Sequence, residues 1–227
     1  MSRTPENPIV CYVTDRNALG LVDPLAGLRE RIRMVMEAGA DWVQVRERDL
    51  SADKLLSVVR GAVSAASPFA RAMSSGEARV IVNDRLDVAL AAGAAGVHLG
   101  AQSVPAREIV CWCRSGNALA AFLVGLSCHT LDEALEAQGA GVDYLIFGPV
   151  FDTPSKRAFG PAQGIARLAE VCRATRIPVI AIGGIDAENG ADCVRAGAAG
   201  IAAIRMFQEA RSVDALRASI RNLRRLK

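Results

Sequence analysis

Aromatic residues are scarce in this chain, at 4% of 227 residues, and the only histidines are His98 and His129. Surfaces that bind nucleic acid combine a strong basic charge with stacking rings. The low aromatic content and the net charge of +3 therefore argue against nucleic acid as a partner. No C-x-x-C pair occurs and the six cysteines are dispersed, which argues against a zinc site. Small anionic molecules remain compatible with this composition.

Long apolar segments are also absent. No run reaches the roughly 18 residues that a membrane-spanning helix needs, and the polar opening segment leads into a short apolar run that is not typical of a signal peptide. We therefore expect a cytoplasmic protein that does not contact membranes and whose cysteine thiols are reduced and buried. The sequence leaves the oligomeric state open, a homo-oligomer included.

Apolar residues make up 51% of the chain, enough for a large core, and no Pro/Gly/Ser-rich linker divides it. We predict a single domain over residues 1–227. Short β-rich runs are predicted at Ile9–Thr14, Trp42–Arg46, Arg79–Asn83, Gly96–Leu99, Leu123–Ser127, Tyr144–Phe147, Pro178–Ile182 and Gly200–Ile204. Helices are predicted at Leu25–Glu37, Ser51–Ala65, Leu86–Ala92, Pro105–Cys113, Thr130–Ala137, Gly164–Ala174, Ala187–Ala196 and Ser212–Leu226. This alternation predicts an α/β fold, the (β/α)₈ or TIM barrel.

An internal repeat supports a closed barrel. Four copies of an Ala-Gly segment precede predicted strands two, four, six and eight, about 50 residues apart, as expected for pairs of βα units. The copies begin at Ala38, Ala92, Ala140 and Ala196. Each glycine stands between a helix end and a strand, where a left-handed residue commonly ends a helix.

Charged residues follow the second and third predicted strands. By strand alternation, Gln44, Arg46 and Arg48 share one side, and two guanidinium groups there suit an anion such as diphosphate. A solvated run of charges is the alternative interpretation. Asn83 and Asp84 follow strand three, where Asp84 either holds Mg²⁺ or caps the next helix.

The later loops carry further candidate residues. The segment Gly148–Arg157 after strand six contains hydroxyl groups and a lysine and is interpreted as a lid over an anion. Gly183 and Gly184 after strand seven, with the end of strand eight, lie where barrels commonly bind phosphate. After strand five, a serine and a histidine are candidates for anion binding and proton transfer: Ser127 and His129.

Taken in order, these segments resemble the thiamine-phosphate synthase family and its relative, the thiazole tautomerase. The matching motifs are Tyr12–Arg16, Gln44–Arg48, Val82–Asp87, Gly96–Gly100, Gly125–His129, Gly148–Phe151, Thr153–Lys156 and Ala181–Ile185. The resemblance implies a TIM barrel enzyme that joins hydroxymethylpyrimidine diphosphate to thiazole phosphate and releases diphosphate.

The same resemblance implies roles for individual residues. Asp84 would hold Mg²⁺. The pyrimidine diphosphate would be bound by Gln44, Arg46, Arg48, Asn83, Ser127 and Lys156. The thiazole phosphate would be bound by Thr153, Ser155, Gly183, Gly184, Ile204 and Arg205. Catalytic roles are predicted for Arg46, Arg48, Lys156 and His129.

Three positions depart from the synthase pattern. Ser103 stands where the family has an aspartate that is a second metal ligand, Arg48 replaces a lysine, and Arg205 replaces a serine. The tautomerase needs no Mg²⁺ and uses a histidine at the position of His129. Ser103 therefore favours the tautomerase, whereas the retained Asp84 and the full Thr153–Lys156 loop favour the synthase. We predict the synthase, with the tautomerase or a non-catalytic binder of thiamine or thiazole phosphates as alternatives.

Overall fold

The computed structural model describes residues 7–69, 78–115, 119–153 and 161–224. Eight strands in this part of the chain pair in chain order and close a parallel barrel, which confirms the predicted fold. The strands are β1 (Ile9–Val13), β2 (Trp42–Val45), β3 (Arg79–Asn83), β4 (Gly96–Leu99), β5 (Leu123–Cys128), β6 (Tyr144–Phe147), β7 (Val179–Ile182) and β8 (Gly200–Ala203).

Helices follow the strands as predicted. They are α1 (Pro24–Glu37), α2 (Ala52–Ala66), α3 (Leu86–Ala92), α4 (Ala106–Arg114), α5 (Leu131–Gly139), α6 (Gly164–Ala174), α7 (Gly190–Arg195), α8 (Arg205–Gln208) and α9 (Val213–Arg224). The sequence analysis missed the short helix α8 and a 3₁₀ turn at Arg16–Leu19. Four-residue elements leave no helical periodicity to detect.

Helix α7 begins later than the predicted start at Ala187. The Asp186 carboxylate accepts the backbone N–H groups of Glu188 and Asn189, and the Asn189 side chain accepts the N–H of Asp186. These local bonds satisfy the backbone in a turn and delay the helix to Gly190.

The core is built on strands that are mostly apolar, with Gln44 in β2 and His98 in β4 as buried polar residues. Every residue of β2, β4, β6 and β8 is buried, as expected for strands with both faces covered. The repeat glycines before these strands all have left-handed backbones, with φ of 98°, 68°, 84° and 103° at Gly39, Gly93, Gly141 and Gly197. The structure thus confirms the conformational reason for the repeat.

The six cysteines are all free thiols. Burial raises the pKa of Cys11, Cys128 and Cys193 to about 12. The expectation that the thiols are buried is wrong for Cys111, which is exposed because α4 turns only Cys113 toward the core, and it is only partly met by Cys172, which is half-buried.

The chain divides into two compact units. The central unit is built on His98–Ala202, and the N-terminal unit is built on Ile9–Val97 together with the segment that begins at Ala203. That the whole chain forms one domain stays a prediction.

Candidate functional site

In the N-terminal unit, an ion-pair network joins the carboxyl ends of β1 and β2. The Thr14 hydroxyl donates to Glu47 Oε1 at 2.6 Å, and Glu47 Oε2 accepts from the Arg16 guanidinium at 2.9 Å. Arg16 also binds both carboxylate oxygens of Asp49, at 2.6 and 2.5 Å. The Arg46 backbone N–H donates to the Thr14 hydroxyl oxygen at 2.9 Å. Arg16 thus occupies both carboxylates of the charged segment after β2.

The arginines of that segment form no ion pair with a carboxylate of the described residues. Among the described residues, neither the half-buried Arg46 nor the exposed Arg48 forms an ion pair or a side-chain hydrogen bond. Burial, and then the positive charge of Arg48, lower the pKa of Arg46. Two guanidinium groups that repel one another and have no partner in the described ranges are compatible with an anionic ligand, and their role in a site stays a prediction.

Gln44, which precedes these arginines in the sequence, is buried. Its side-chain Nε2 donates to Asn83 Oδ1 at 3.2 Å, so the structure brings these two predicted site residues into contact. In the described part of the chain the buried Gln44 Oε1 has no hydrogen-bond partner. A buried acceptor without a donor is costly, and a ligand N–H or O–H would satisfy it.

Asp84 follows β3 with a backbone that non-glycine residues rarely adopt, at φ 66°. The helix α3 is preceded by Arg85 and has no side-chain cap, so neither Asn83 nor Asp84 is an N-cap. Arg85 pairs with Asp87, at 2.9 and 2.6 Å, and the Asp84 carboxylate has no hydrogen bond or ion pair within the described ranges. This result excludes the capping interpretation and leaves an exposed carboxylate free for a ligand.

The central unit holds a chain of three hydrogen-bonded polar side chains, of which the first two are buried and the third, Ser127, is half-buried. Tyr144 Oη lies 3.2 Å from His98 Nδ1, and His98 Nε2 lies 2.8 Å from Ser127 Oγ. The sequence analysis singled out Ser127 but gave no role to His98 or Tyr144. The Gly96–Gly100 motif contained His98, but the tyrosine partner comes from a different strand and left no local signal.

His129 is held at two points. Its Nδ1 lies 2.5 Å from the Gly148 carbonyl oxygen, and its backbone N–H donates to Glu133 Oε2 at 2.6 Å. Since a carbonyl oxygen only accepts, Nδ1 carries the proton and Nε2 is left as the basic nitrogen. His129 and Ser127 both line a cavity of about 510 Å³ whose other walls come from α4 and α5.

The glycines after β7 allow a close backbone approach. A Cβ on Gly183 would lie 2.5 Å from Pro149, and one on Gly184 would lie 2.7 Å from the Asp152 carbonyl oxygen. The Val150 and Phe151 N–H groups donate to the carbonyls of Ile182 and Gly183, at 2.8 and 3.0 Å. Packing of the β6 loop alone is therefore sufficient to explain both glycines.

The remaining predicted residues are located individually. Thr153 is buried, Ile204 precedes α8, and Arg205 is the exposed first residue of α8. Ser155 and Lys156 lie outside the described residues, as does the part of the predicted lid after Thr153. Ser103 accepts the Gly100 N–H at 2.8 Å in the turn after β4. Among the described residues, no group of three or more His, Cys, Asp or Glu side chains could hold a metal ion.

Comparisons with known proteins match most of the chain. The family model described as thiamine monophosphate synthase matches residues 10–207. A thiamine-phosphate synthase of Methanoculleus marisnigri is 40% identical over 193 residues, which are 84% of this chain and 84% of that protein. One of Anaeromyxobacter dehalogenans is 41% identical over 82% of this chain and 76% of that protein. The solved structure of a thiamine phosphate pyrophosphorylase from Pyrococcus furiosus superposes with a TM-score of 0.78 at 28% identity, covering 96% of both chains.

Proposed function

Because this chain belongs to the thiamine monophosphate synthase family, we propose that it joins hydroxymethylpyrimidine diphosphate to thiazole phosphate and releases diphosphate, as a transferase of thiamine biosynthesis. The observation that carries the proposal is that Arg46 and Arg48 have no ion-pair partner in the part of the chain that the structure describes, since Arg16 pairs with the neighbouring carboxylates of Glu47 and Asp49. The relatives named above are synthases, so the comparisons do not favour the tautomerase or the non-catalytic binder.

The pyrimidine substrate is assigned to the residues after β2 and β3. Arg46 and Arg48 bind its diphosphate, because guanidinium groups pair with phosphate oxygens in two-point contacts. Gln44 Oε1 accepts a hydrogen bond from the substrate, and Asn83 holds the Gln44 side chain in place. Lys156 and Ser127 are assigned to the same diphosphate.

The family uses a metal ion, and we assign Mg²⁺ to Asp84. The fit rests on an exposed carboxylate, a hard oxygen ligand, that forms no hydrogen bond or ion pair with the described part of the chain. Magnesium commonly takes one or two carboxylates, with phosphate oxygens and water as its other ligands, so Ser103 in place of a second carboxylate is tolerable. When bound, the ion offsets negative charge on the departing diphosphate.

The residues of this chain stabilise charge and need not supply a nucleophile. As the carbon–oxygen bond to diphosphate breaks, Arg46, Arg48 and Lys156 compensate the negative charge that develops on the leaving group. The thiazole nitrogen attacks the methylene carbon of the pyrimidine. The thiazole phosphate is assigned to Thr153 and Ser155, the backbone at Gly183 and Gly184, and the residues Ile204 and Arg205.

The test is direct formation of product. Purified protein is incubated with both substrates and Mg²⁺, and thiamine phosphate is detected by its conversion to a fluorescent thiochrome. We expect turnover that requires both substrates and falls strongly in Arg46→Ala. A matched control is Arg33→Ala, which removes an exposed arginine that pairs with Glu30 and Glu37 on α1. Absence of product with folded wild-type protein would refute the proposal.

Three predictions about partners and location remain open. No helix in the described part of the chain is long and apolar enough to cross a membrane. The cytoplasmic location and the absence of nucleic-acid partners stay predictions from the sequence. Assembly into a homo-oligomer is likewise untested.

A further inference from the structure

The hydrogen-bonded series of Tyr144, His98 and Ser127 runs from two buried side chains to the half-buried Ser127, which is assigned to the diphosphate. We propose that His98 and Tyr144 are positioning residues that fix the Ser127 hydroxyl as a hydrogen-bond donor to the leaving diphosphate. Tyr144 donates to His98 Nδ1, His98 donates from Nε2 to Ser127 Oγ, and the serine proton is left for the ligand. This inference rests on the proposed function, because that function supplies the diphosphate.

The direction of the two hydrogen bonds, from Tyr144 to Ser127 or the reverse, decides whether the Ser127 hydroxyl can donate to a ligand. A serine hydroxyl has one proton, so a hydroxyl that donates to His98 has no proton left for an anion. The distances of 3.2 Å and 2.8 Å allow either direction, and the two directions correspond to opposite histidine tautomers. A phenol is a stronger acid than an aliphatic alcohol, which favours Tyr144 as the donor at Nδ1.

An anion bound at Ser127 favours the same direction of hydrogen bonding, in which His98 donates to Ser127. Successive hydrogen bonds polarise one another, so each donor in a chain of one direction strengthens the next. Negative charge beside Oγ favours the outward serine proton and thereby the Nε2–H form of His98. The benefit grows as charge develops on the leaving group, so the interaction is stronger in the transition state than with bound substrate.

Packing holds the side chains of Tyr144, His98 and Ser127 close together. The direction of the hydrogen bonds between them is then what can change. The tyrosine ring lies against Gly125, where any Cβ would overlap it, and Tyr144 pairs with Gly125 in the β5–β6 register. Ser127 follows two residues later on the same strand face. His98 and Tyr144 are each only 2% exposed, and their ring centroids lie 5.6 Å apart. The Tyr144 ring therefore occupies space that only a glycine at position 125 leaves open, and there its hydroxyl lies beside His98.

The other histidine provides an internal reference. His129 Nδ1 faces the Gly148 carbonyl and must carry the proton, whereas His98 is proposed to carry it on Nε2. The chain contains only these two histidines, so the two tautomers can be distinguished in one spectrum.

The first experiment reads the tautomers by ¹⁵N NMR of protein labelled at histidine, at pH 8, with and without Mg²⁺ and inorganic diphosphate. His129→Gln assigns the signals. We expect an unprotonated Nδ1 and a protonated Nε2 for His98, and the reverse for His129. A His98 that is protonated on Nδ1 in the diphosphate complex would overturn the proposal. The measurement needs no substituted residue in the chain of hydrogen bonds and does not depend on turnover.

The second experiment measures diphosphate affinity by calorimetry, and kcat and KM where turnover is present. Tyr144→Phe keeps the ring over Gly125 and removes the hydroxyl. We expect a loss of about three- to tenfold in affinity, the usual range for one hydrogen bond, with kcat falling more than KM changes. Tyr12→Phe is the matched control, because Tyr12 is as buried as Tyr144 and its hydroxyl also takes part in a hydrogen bond, as the acceptor from Gln208.

A double-mutant cycle separates positioning from a general effect on packing. In a Ser127→Ala background, Tyr144→Phe should cause no further loss, because it acts through the missing hydroxyl. His98→Gln, whose amide can still donate to Ser127, should retain more affinity than His98→Ala. Equal losses from Tyr144→Phe with and without Ser127 would refute the proposal. If diphosphate binding follows these expectations but wild-type protein forms no thiamine phosphate, the proposed function fails and the positioning roles stand.

Discussion

Arg224 in the last helix forms an ion pair with Asp41 just before β2, with its Nη2 2.8 and 2.9 Å from the two carboxylate oxygens. The same carboxylate accepts the backbone N–H of Val10 at 2.8 Å, at the start of β1. Asp41 is buried, and these partners lie 31 and 183 positions away in the sequence. The pair ties α9 to the strand ends that face away from the candidate site.

A second pair repeats this arrangement in the central unit. Asp143 precedes β6 and accepts the Val124 N–H at 2.7 Å, and Arg114 of α4 binds both its oxygens at 2.8 and 2.7 Å. Asp41 and Asp143 occupy the same position in two copies of the Ala-Gly repeat. The repeat therefore preserves an aspartate that ties a strand to its preceding strand and to a helix.

These pairs predict a graded loss of stability. Arg224→Ala leaves the buried Asp41 carboxylate without its cation, and we expect the free energy of unfolding to fall by about 2 kcal/mol. Arg114→Ala should cost about 1 kcal/mol, because Asp143 is more exposed and water replaces the lost partner. Urea denaturation measures both. Arg217→Ala, which removes a partner of the exposed Asp214, is the control. Equal losses from Arg217→Ala and Arg224→Ala would contradict the argument.

Much of the fold could be predicted from sequence because its signals are local. Buried parallel strands are continuous apolar runs, and the repeat glycines mark where helices end. The start of α7 could not be predicted, since side-chain bonds from Asp186 and Asn189 compete with the helix. The ion pair of Asp41 with Arg224 joins residues 183 positions apart, so no local pattern indicates it.

For the candidate site too, features within one segment could be predicted from the sequence, whereas contacts between distant segments could not. Strand alternation predicted Arg46 and Arg48 as site residues from the sequence alone, and their role stays a prediction. The pairing of Glu47 and Asp49 with Arg16 could not be predicted, since Arg16 lies in the turn after β1, more than 30 positions away. The role of Tyr144 was hidden for the same reason.

The unpaired arginines predict a salt-sensitive anion site. Arg46→Ala should weaken binding of inorganic diphosphate by about 10- to 100-fold, the range expected for a lost charged hydrogen bond. Arg48→Lys should lose less, because the charge is retained and only the two-point contact is lost. Calorimetry at two salt concentrations checks both. Wild-type affinity in Arg46→Ala would exclude this arginine from the site.

The exposed cysteine should react faster with a thiol reagent than the buried cysteines. Cys111 is exposed on α4, whereas Cys11, Cys128 and Cys193 are buried with pKa values raised to about 12, so they are almost entirely protonated at pH 8. We expect one thiol of the native protein to react rapidly with a chromogenic disulfide reagent, and Cys111→Ser to abolish that phase. A rapid phase that persists in Cys111→Ser would show that another cysteine is accessible.

The last prediction concerns the metal and separates the synthase from the tautomerase. Asp84→Ala should nearly abolish coupling, because it removes the carboxylate assigned to Mg²⁺. Ser103→Asp should lower the half-saturating Mg²⁺ concentration by adding a charged oxygen at a position where the serine oxygen already accepts the Gly100 N–H. In a tautomerase neither change should matter, whereas His129→Ala should cost about 10²- to 10⁴-fold as a lost general acid–base. Both reactions are assayed on all three variants.

A metal-independent proton shift on the thiazole that is lost with His129 would overturn the synthase assignment. Coupling that is lost with Asp84 and gains Mg²⁺ affinity with Ser103→Asp would establish that a single native carboxylate serves the metal.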